Sequence, residues 1–215
     1  MTQPLHATGI SKRYGPHTVL DAVDLHVDPG ETVLLLGPNG VGKSTLLGSV
    51  CGTIIPDAGS VSIGGHDLKQ APLAARAALR FLPQEVEVPA GLTGEELLQF
   101  YADVHGDPSG MKRAREATQL DEALPRLAST YSVGMRRRLA FGGLQLGEAA
   151  LYILDEPFAG VDREGRERMA ATLHGLVARG AGLLLAVHDR DIDDMEAFSP
   201  RRVVLSAPDP QGAES

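Results

Sequence analysis

Polar and apolar positions alternate with a period of two early in the chain, take a helical period in the middle, and then switch between the two. In AVDLHVDPGE, Val23, Leu25 and Val27 alternate with Asp24, His26 and Asp28, which predicts a half-buried strand. Pro29-Gly30 closes it with a turn. The next stretch, TVLLLG, is a continuous apolar run ending in Gly37, the pattern of a central strand covered on both faces. SVSIGG, residues 60–65, is another short strand that closes in a Gly-Gly turn.

Residues 85–145 change to helical spacing. In LTGEELLQFYADVHG, Thr93 is the expected N-cap and Glu96 completes a capping box. Leu97, Tyr101 and Val104 follow at i, i+4 and i+7 as the expected buried stripe, with Gly106 as the stop. This segment reads as a small helical lobe. Beyond it come ALYILDEP, then EGRERMAATLHGLVARG ending at Gly180, then LLLAVHD, then RRVVL. Apolar strands alternating with helices imply an α/β fold whose parallel sheet is covered on both faces. SAPDPQGAES reads as a frayed tail. The acidic HDRDIDD, residues 188–194, has no glycine at the turn position of a calcium loop and reads as a solvated helix start.

Composition narrows the function classes. Lys+Arg 20 against Asp+Glu 28 gives 20 − 28 = −8 over 215 residues, which opposes non-specific binding to nucleic acid. The single cysteine, Cys51, excludes an internal disulfide and a cysteine metal cage. It falls in the apolar LLGSVCG and is expected to be a buried structural thiol. The amino terminus shows no basic region followed by an apolar run, and nothing approaches the ~18 apolar residues of a membrane span. A cytosolic protein without direct membrane insertion is expected, any membrane role coming through a partner.

Two motifs carry chemistry. Gly37, Pro38, Asn39, Gly40, Val41, Gly42, Lys43, Ser44 and Thr45 fit Gly-x4-Gly-Lys-Ser/Thr, directly after a buried strand and before a helix. The glycines let backbone N–H groups converge on phosphates, Lys43 brings a charge to the outer phosphates, and the Ser44 hydroxyl can ligate Mg2+. The motif specifies a nucleoside triphosphate and no more, being shared by kinases, GTPases and motor ATPases. LYILDEP then places Asp155 at the end of a buried strand, where it can hold Mg2+. Glu156, one residue further, is a candidate general base for an attacking water. An Asp-Glu pair after a strand is also a common helix start, a reading that the neighbouring phosphate loop weakens.

With Tyr14 in KRYG, Gln84 in FLPQE, YSVGMRRRL, FAGVD and His188 in LLLAVHD, the chain resembles the nucleotide-binding subunit of an ABC transporter over nearly its whole length. The resemblance implies a P-loop NTPase core of RecA-like, mostly parallel type with an antiparallel β subdomain and a small helical subdomain. It implies one domain over 1–215: residues 1–84 and 146–215 form the core with the β subdomain, and 85–145 the helical subdomain carrying the signature. It further implies ATP and Mg2+ as cofactors and three catalytic residues, Glu156, His188 and Gln84. The metal would be held by Ser44, Gln84 and Asp155. Tyr14 would stack on adenine, although a strand tyrosine packed on the core is an open alternative. His188 would contact the γ-phosphate, and Asp162 would lie between two copies.

Ser132 is placed as the N-cap of a helix through GMRRRLAF, so its hydroxyl, the Gly134 N–H and the helix dipole form an anion site. The phosphate loop already holds one triphosphate. The family's solution is that two chains, identical or different, face head to tail, Ser132 and Gly134 of one covering the γ-phosphate held by the other. The three arginines spread over about 200° of helix, so no more than two face one phosphate, and at least two are expected to be solvated or paired with acids. Val133 and Met135 stand where the family more often has glycine and glutamine; the Tyr-Ser-x-Gly-Met form is similar to exporters of the drug and polysaccharide type. The short C-terminus is a departure from some importers, whose regulatory domain is not expected here.

The resemblance therefore implies a peripheral subunit at the inner face of the cell membrane, bound to an integral membrane permease. VEVPAGL, residues 86–92, is either part of the docking surface or core. A soluble ABC-type ATPase of DNA repair or translation remains an alternative, as does a small-molecule kinase. The first usually needs two cassettes or a long coiled coil, and the second has no use for a signature or His188.

Overall fold

The apolar runs form one sheet and the alternating strands another, in a computed structural model that describes residues 2–187 and 192–208. β3 (Thr32–Leu36), β7 (Leu151–Asp155) and β8 (Gly182–Ala186) are buried at every position. With β6 (Leu79–Leu82) and β9 (Arg201–Val204) they make a parallel sheet in the order β6-β7-β8-β3-β9. Because the strands are parallel, Gly37 after β3, Asp155 at the end of β7 and the Gln84 segment after β6 all emerge at one edge. β8 stands between the strand of the phosphate loop and that of Asp155.

The second sheet is antiparallel, ordered β2 (His17–Val27), β1 (Leu5–Tyr14), β4 (Ala58–Ile63) and β5 (His66–Asp67). Its inward residues, among them Leu5, Ile10, Leu25, Val27 and Ile63, share a core with α1 (Lys43–Cys51) and one face of the parallel sheet. Cys51 is buried there, and desolvation raises its thiol pKa far above the usual range, as expected of an inert core thiol. The other face of the parallel sheet is covered by Met169, Leu173 and Leu176 of α6 (Arg163–Ala178) and by Phe141 and Leu144, at the end of α5 (Val133–Gly143) and just past it.

A third cluster joins α3 (Gly94–Val104), α4 (Met111–Thr118) and the Leu139 side of α5. The Thr93–Glu96 capping box forms in both directions. The stripe read from the sequence needs correction: Leu97, Leu98 and Ala102 face the core, Tyr101 is half-buried against Gly143, and Val104 is 59% exposed in the last turn. Val86 and Val88 are also partly buried against core clusters, which favours the core reading of those two valines.

Neither α2 (Pro72–Ala77) nor β6 has a counterpart in the sequence reading. PLAARA is too short for a helical period to register. In β6 the apolar run is broken by Arg80, which is buried because its guanidinium donates to carbonyl oxygens of Leu146 at 3.1 and 3.2 Å and of Leu79 at 2.9 Å. Among the described residues no helix is long and apolar enough to cross a membrane.

Candidate functional site

The phosphate loop is shaped by two glycines that other residues cannot replace. At Gly37 φ is +147°, and a Cβ there would lie 2.6 Å from the Leu205 carbonyl oxygen. At Gly42, the N-cap of α1, φ is +111° and a Cβ would lie 2.9 Å from Val19 Cγ1. α1 has no side-chain cap and no acid in its first turn, so its leading N–H groups are open to an anion. Lys43 Nζ folds back over the loop to the carbonyl oxygens of Gly37 at 2.6 Å and Pro38 at 3.3 Å. Val41 is buried and donates its N–H to the Pro38 carbonyl at 3.3 Å.

Ser44 Oγ donates to Asp155 Oδ2 at 3.1 Å, bringing the two sequence motifs into contact. Asp155 is buried, and desolvation raises its carboxyl pKa against the opposing effects of the Ser44 hydrogen bond and the Lys43 and Arg137 charges. A cavity of about 520 Å3 lies over this contact, lined by Asn39, Gly40, Gly42, Lys43, Ser44, Thr45, Gln84, Asp155 and Glu156. Val19, which no motif marks, completes it. A hydroxyl and a carboxylate as hard oxygen donors beside a phosphate cradle fit Mg2+, which takes few protein ligands and completes its shell with phosphate and water.

Glu156 has φ +49°, a left-handed conformation uncommon outside glycine. Its N–H donates to the Ala186 carbonyl at 2.9 Å, and its carbonyl accepts from the Ala159 N–H at 3.1 Å and from the Arg137 guanidinium. The backbone is thus held on both sides of the residue, which turns the carboxylate-bearing position out of the strand line and into the cavity.

Arg137 is the functional candidate that reading the motifs missed. Of the three arginines, Arg136 and Arg138 are half-buried, while Arg137 is 3% exposed. It donates to the carbonyl oxygens of Gln84, Asp155 and Glu156, the Asp155 contact being 3.4 Å. Burial lowers its pKa, and the Glu156 and Asp155 carboxylates act in the opposite sense. A signal was present in the sequence: Arg137, Phe141 and Leu144 stand at i, i+4 and i+7, the stripe that packs on the parallel sheet.

Ser132, Gly134, Tyr14 and Asp162 are not among the described residues that line the cavity. Ser132 is the N-cap of α5, its Oγ accepting from the Met135 N–H at 3.2 Å, and Gly134 is packed so that a Cβ would lie 2.4 Å from the Gly160 carbonyl oxygen. Tyr131, just before it, is a buried anchor whose hydroxyl donates to the Ala123 carbonyl at 2.6 Å. Tyr14 ends β1, is 49% exposed, and has Lys12 Nζ 5.5 Å from its ring centroid. Asp162 caps α6, accepting from the Gly165 N–H at 2.8 Å. His188 lies outside the described residues.

Comparison with known proteins identifies the family. A family model described as ABC transporter matches residues 20–159. The chain is 37% identical over 208 residues to the daunorubicin resistance ATP-binding protein DrrA3 of Streptomyces coeruleorubidus, covering 93% of this chain and 64% of that protein. It is 32% identical over 189 residues to the linearmycin resistance ATP-binding protein LnrL of Bacillus subtilis, covering 86% of this chain and 61% of that one. The chain therefore spans somewhat under two thirds of the length of these relatives. A solved structure of the ATP-binding subunit of an ABC transporter superposes with a TM-score of 0.86 at 30% identity, covering 94% of this chain and 85% of the other. The match over the phosphate loop, the Asp155 strand and the helical lobe between them establishes that this chain belongs to the ABC transporter family, among its ATP-binding proteins.

Proposed function

We propose that the chain binds and hydrolyses ATP as the motor subunit of an exporter, acting on an integral membrane permease encoded separately. The single observation that carries the reading is the convergence of Lys43, Ser44, Asp155 and Glu156 on one cavity. The phosphate loop and the N-terminus of α1 hold the triphosphate, and Lys43 meets its outer phosphates. Ser44 and Asp155, joined by Gln84, are the residues that would hold Mg2+. When bound, that ion neutralises charge on the β- and γ-phosphate oxygens.

Glu156 takes a proton from the attacking water as its oxygen bonds to the γ-phosphorus and the bond to ADP breaks. His188 and Tyr14 are assigned, by family resemblance, to the γ-phosphate and the adenine. Ser132 and Gly134 do not line the cavity, which supports a site completed by a second copy or a related subunit, placing nucleotide in the interface. A peripheral place at the inner face of the membrane follows from the permease partner. Export rather than import rests on the Tyr-Ser-x-Gly-Met signature and on the relatives named for drug resistance.

The test is Glu156→Gln. The variant binds ATP, loses turnover by about a thousandfold or more, roughly 4 kcal/mol, and accumulates as an ATP-bound dimer. Turnover at the wild-type rate removes Glu156 from the role of base.

A further inference from the structure

Burying a guanidinium is costly, and an aliphatic side chain would fill the stripe shared with Phe141 and Leu144 without that cost. The compensation at Arg137 is specific. Among the described residues its terminal nitrogens donate to the main-chain carbonyls of Gln84, Asp155 and Glu156, each of which lines the proposed catalytic cavity. Arg137 Nε is buried with no acceptor among the described residues, so the side chain is placed for its terminal nitrogens.

One of those carbonyls belongs to the residue with φ +49°. A left-handed non-glycine residue persists where its surroundings over-determine it, and the Arg137 donor is one of the bonds that does so. The same guanidinium reaches the segment after β6 through Gln84 and the end of β7 through Asp155. Arg137 itself rides on α5, which opens at Ser132.

We propose that Arg137 is a positioning residue for phosphoryl transfer, its guanidinium clamping the backbones of Gln84 and Glu156 so that the Glu156 carboxylate is aimed only when α5 is seated. Arg137 is not among the described residues that line the cavity. It acts through Glu156, and the inference rests on the ATPase reading above.

The distinguishing experiment is a set of full-length variants: Arg137→Met, which keeps an apolar stem but no donors, Arg137→Lys, and Arg137→Met combined with Glu156→Gln. In Arg137→Met, kcat falls about 10- to 100-fold, the range seen when a residue that orients a catalytic group is lost, while KM and nucleotide Kd move less than threefold. Added to Glu156→Gln, the same substitution lowers residual turnover less than threefold, because the group it serves is already gone. A merely structural tie gives an additive loss instead and overturns the proposal. So does a folded Arg137→Met with kcat within threefold of wild type. Should Arg137→Met fail to fold, Arg137→Lys decides: one ammonium cannot span three carbonyls, so kcat falls with KM held, and a wild-type kcat refutes the clamp. A wild-type protein without ATP turnover removes the ATPase reading itself, and the clamp with it.

Discussion

Ser44 Oγ donates to Asp155 Oδ2 at 3.1 Å although the two residues are 111 positions apart in the chain. The contact exists because β3 and β7 run parallel on either side of β8 and deliver both residues to the same edge. Asp155→Asn keeps the shape and removes the charge. Mg2+-dependent ATP turnover is expected to fall about a hundredfold or more, equivalent to several kcal/mol, while nucleotide affinity measured in chelator with a fluorescent ATP analogue changes less than threefold. Turnover within threefold of wild type takes Asp155 out of the metal site.

Gly134→Ala tests the join between the signature and the segment after Glu156. The added Cβ would lie 2.4 Å from the Gly160 carbonyl oxygen, a backbone atom that cannot step aside alone. Overpacking of this kind costs about 1–3 kcal/mol. A lower melting temperature is expected, together with loss of the ATP-dependent dimer and little change in nucleotide affinity for the monomer. An unchanged melting temperature and an intact dimer contradict the packing described.

These two sites mark what could and could not be read from the sequence. The phosphate loop was legible because its glycines, Lys43 and Ser44 are contiguous, and Thr93 and Ser132 because a cap declares itself within four residues. The place of Arg137 in the Phe141 and Leu144 stripe was legible but its role was not, since its partners are carbonyl oxygens, which have no sequence identity, on segments brought together by strand order alone. β6 was hidden for the same reason, as Arg80 is polar in sequence and its donors are satisfied by the carbonyl oxygens of Leu146 and Leu79 once the chain is folded. Val104 failed differently: helical spacing says which residues share a face, and only the packing of α4 and α5 says which face is covered.

Asp107 ties the helical lobe to the chain beyond α5. Its carboxylate accepts from the Gly147 N–H at 2.9 Å, the Ser109 hydroxyl at 2.9 Å, the Gly110 N–H at 2.9 Å and Arg113 Nη2 at 2.9 Å. The Gly147 N–H is the largest cause holding its pKa below the usual carboxylate value, followed by the Ser109 hydroxyl. A depressed folded pKa means that the stabilisation is fully present above the unfolded value of about 3.9 and is lost as pH falls below it, through the lower folded value. Asp107→Asn is expected to cost about 1–2 kcal/mol at neutral pH, some 2–8 °C in melting temperature. The gap to wild type narrows below about pH 4. A gap that is constant down to pH 3 shows that the carboxylate charge is not the source.

Ser132→Arg addresses the arrangement of the two chains. Ser132 Oγ already accepts from the Met135 N–H, which fixes the hydroxyl at the open N-terminus of α5, away from the cavity lined by its own phosphate loop. If that end of α5 seats on the triphosphate held by another copy, a long cation there occupies the anion's place and holds the chains apart. The monomer should bind ATP with an affinity within threefold of wild type, because none of its own phosphate contacts is altered. Combined with Glu156→Gln, the substitution should eliminate the ATP-dependent dimer in light scattering, whereas Glu156→Gln alone accumulates it. Loss of nucleotide binding by the monomer would place Ser132 in its own site, and a dimer of undiminished stability would place it outside the interface, and either result rejects the shared pocket.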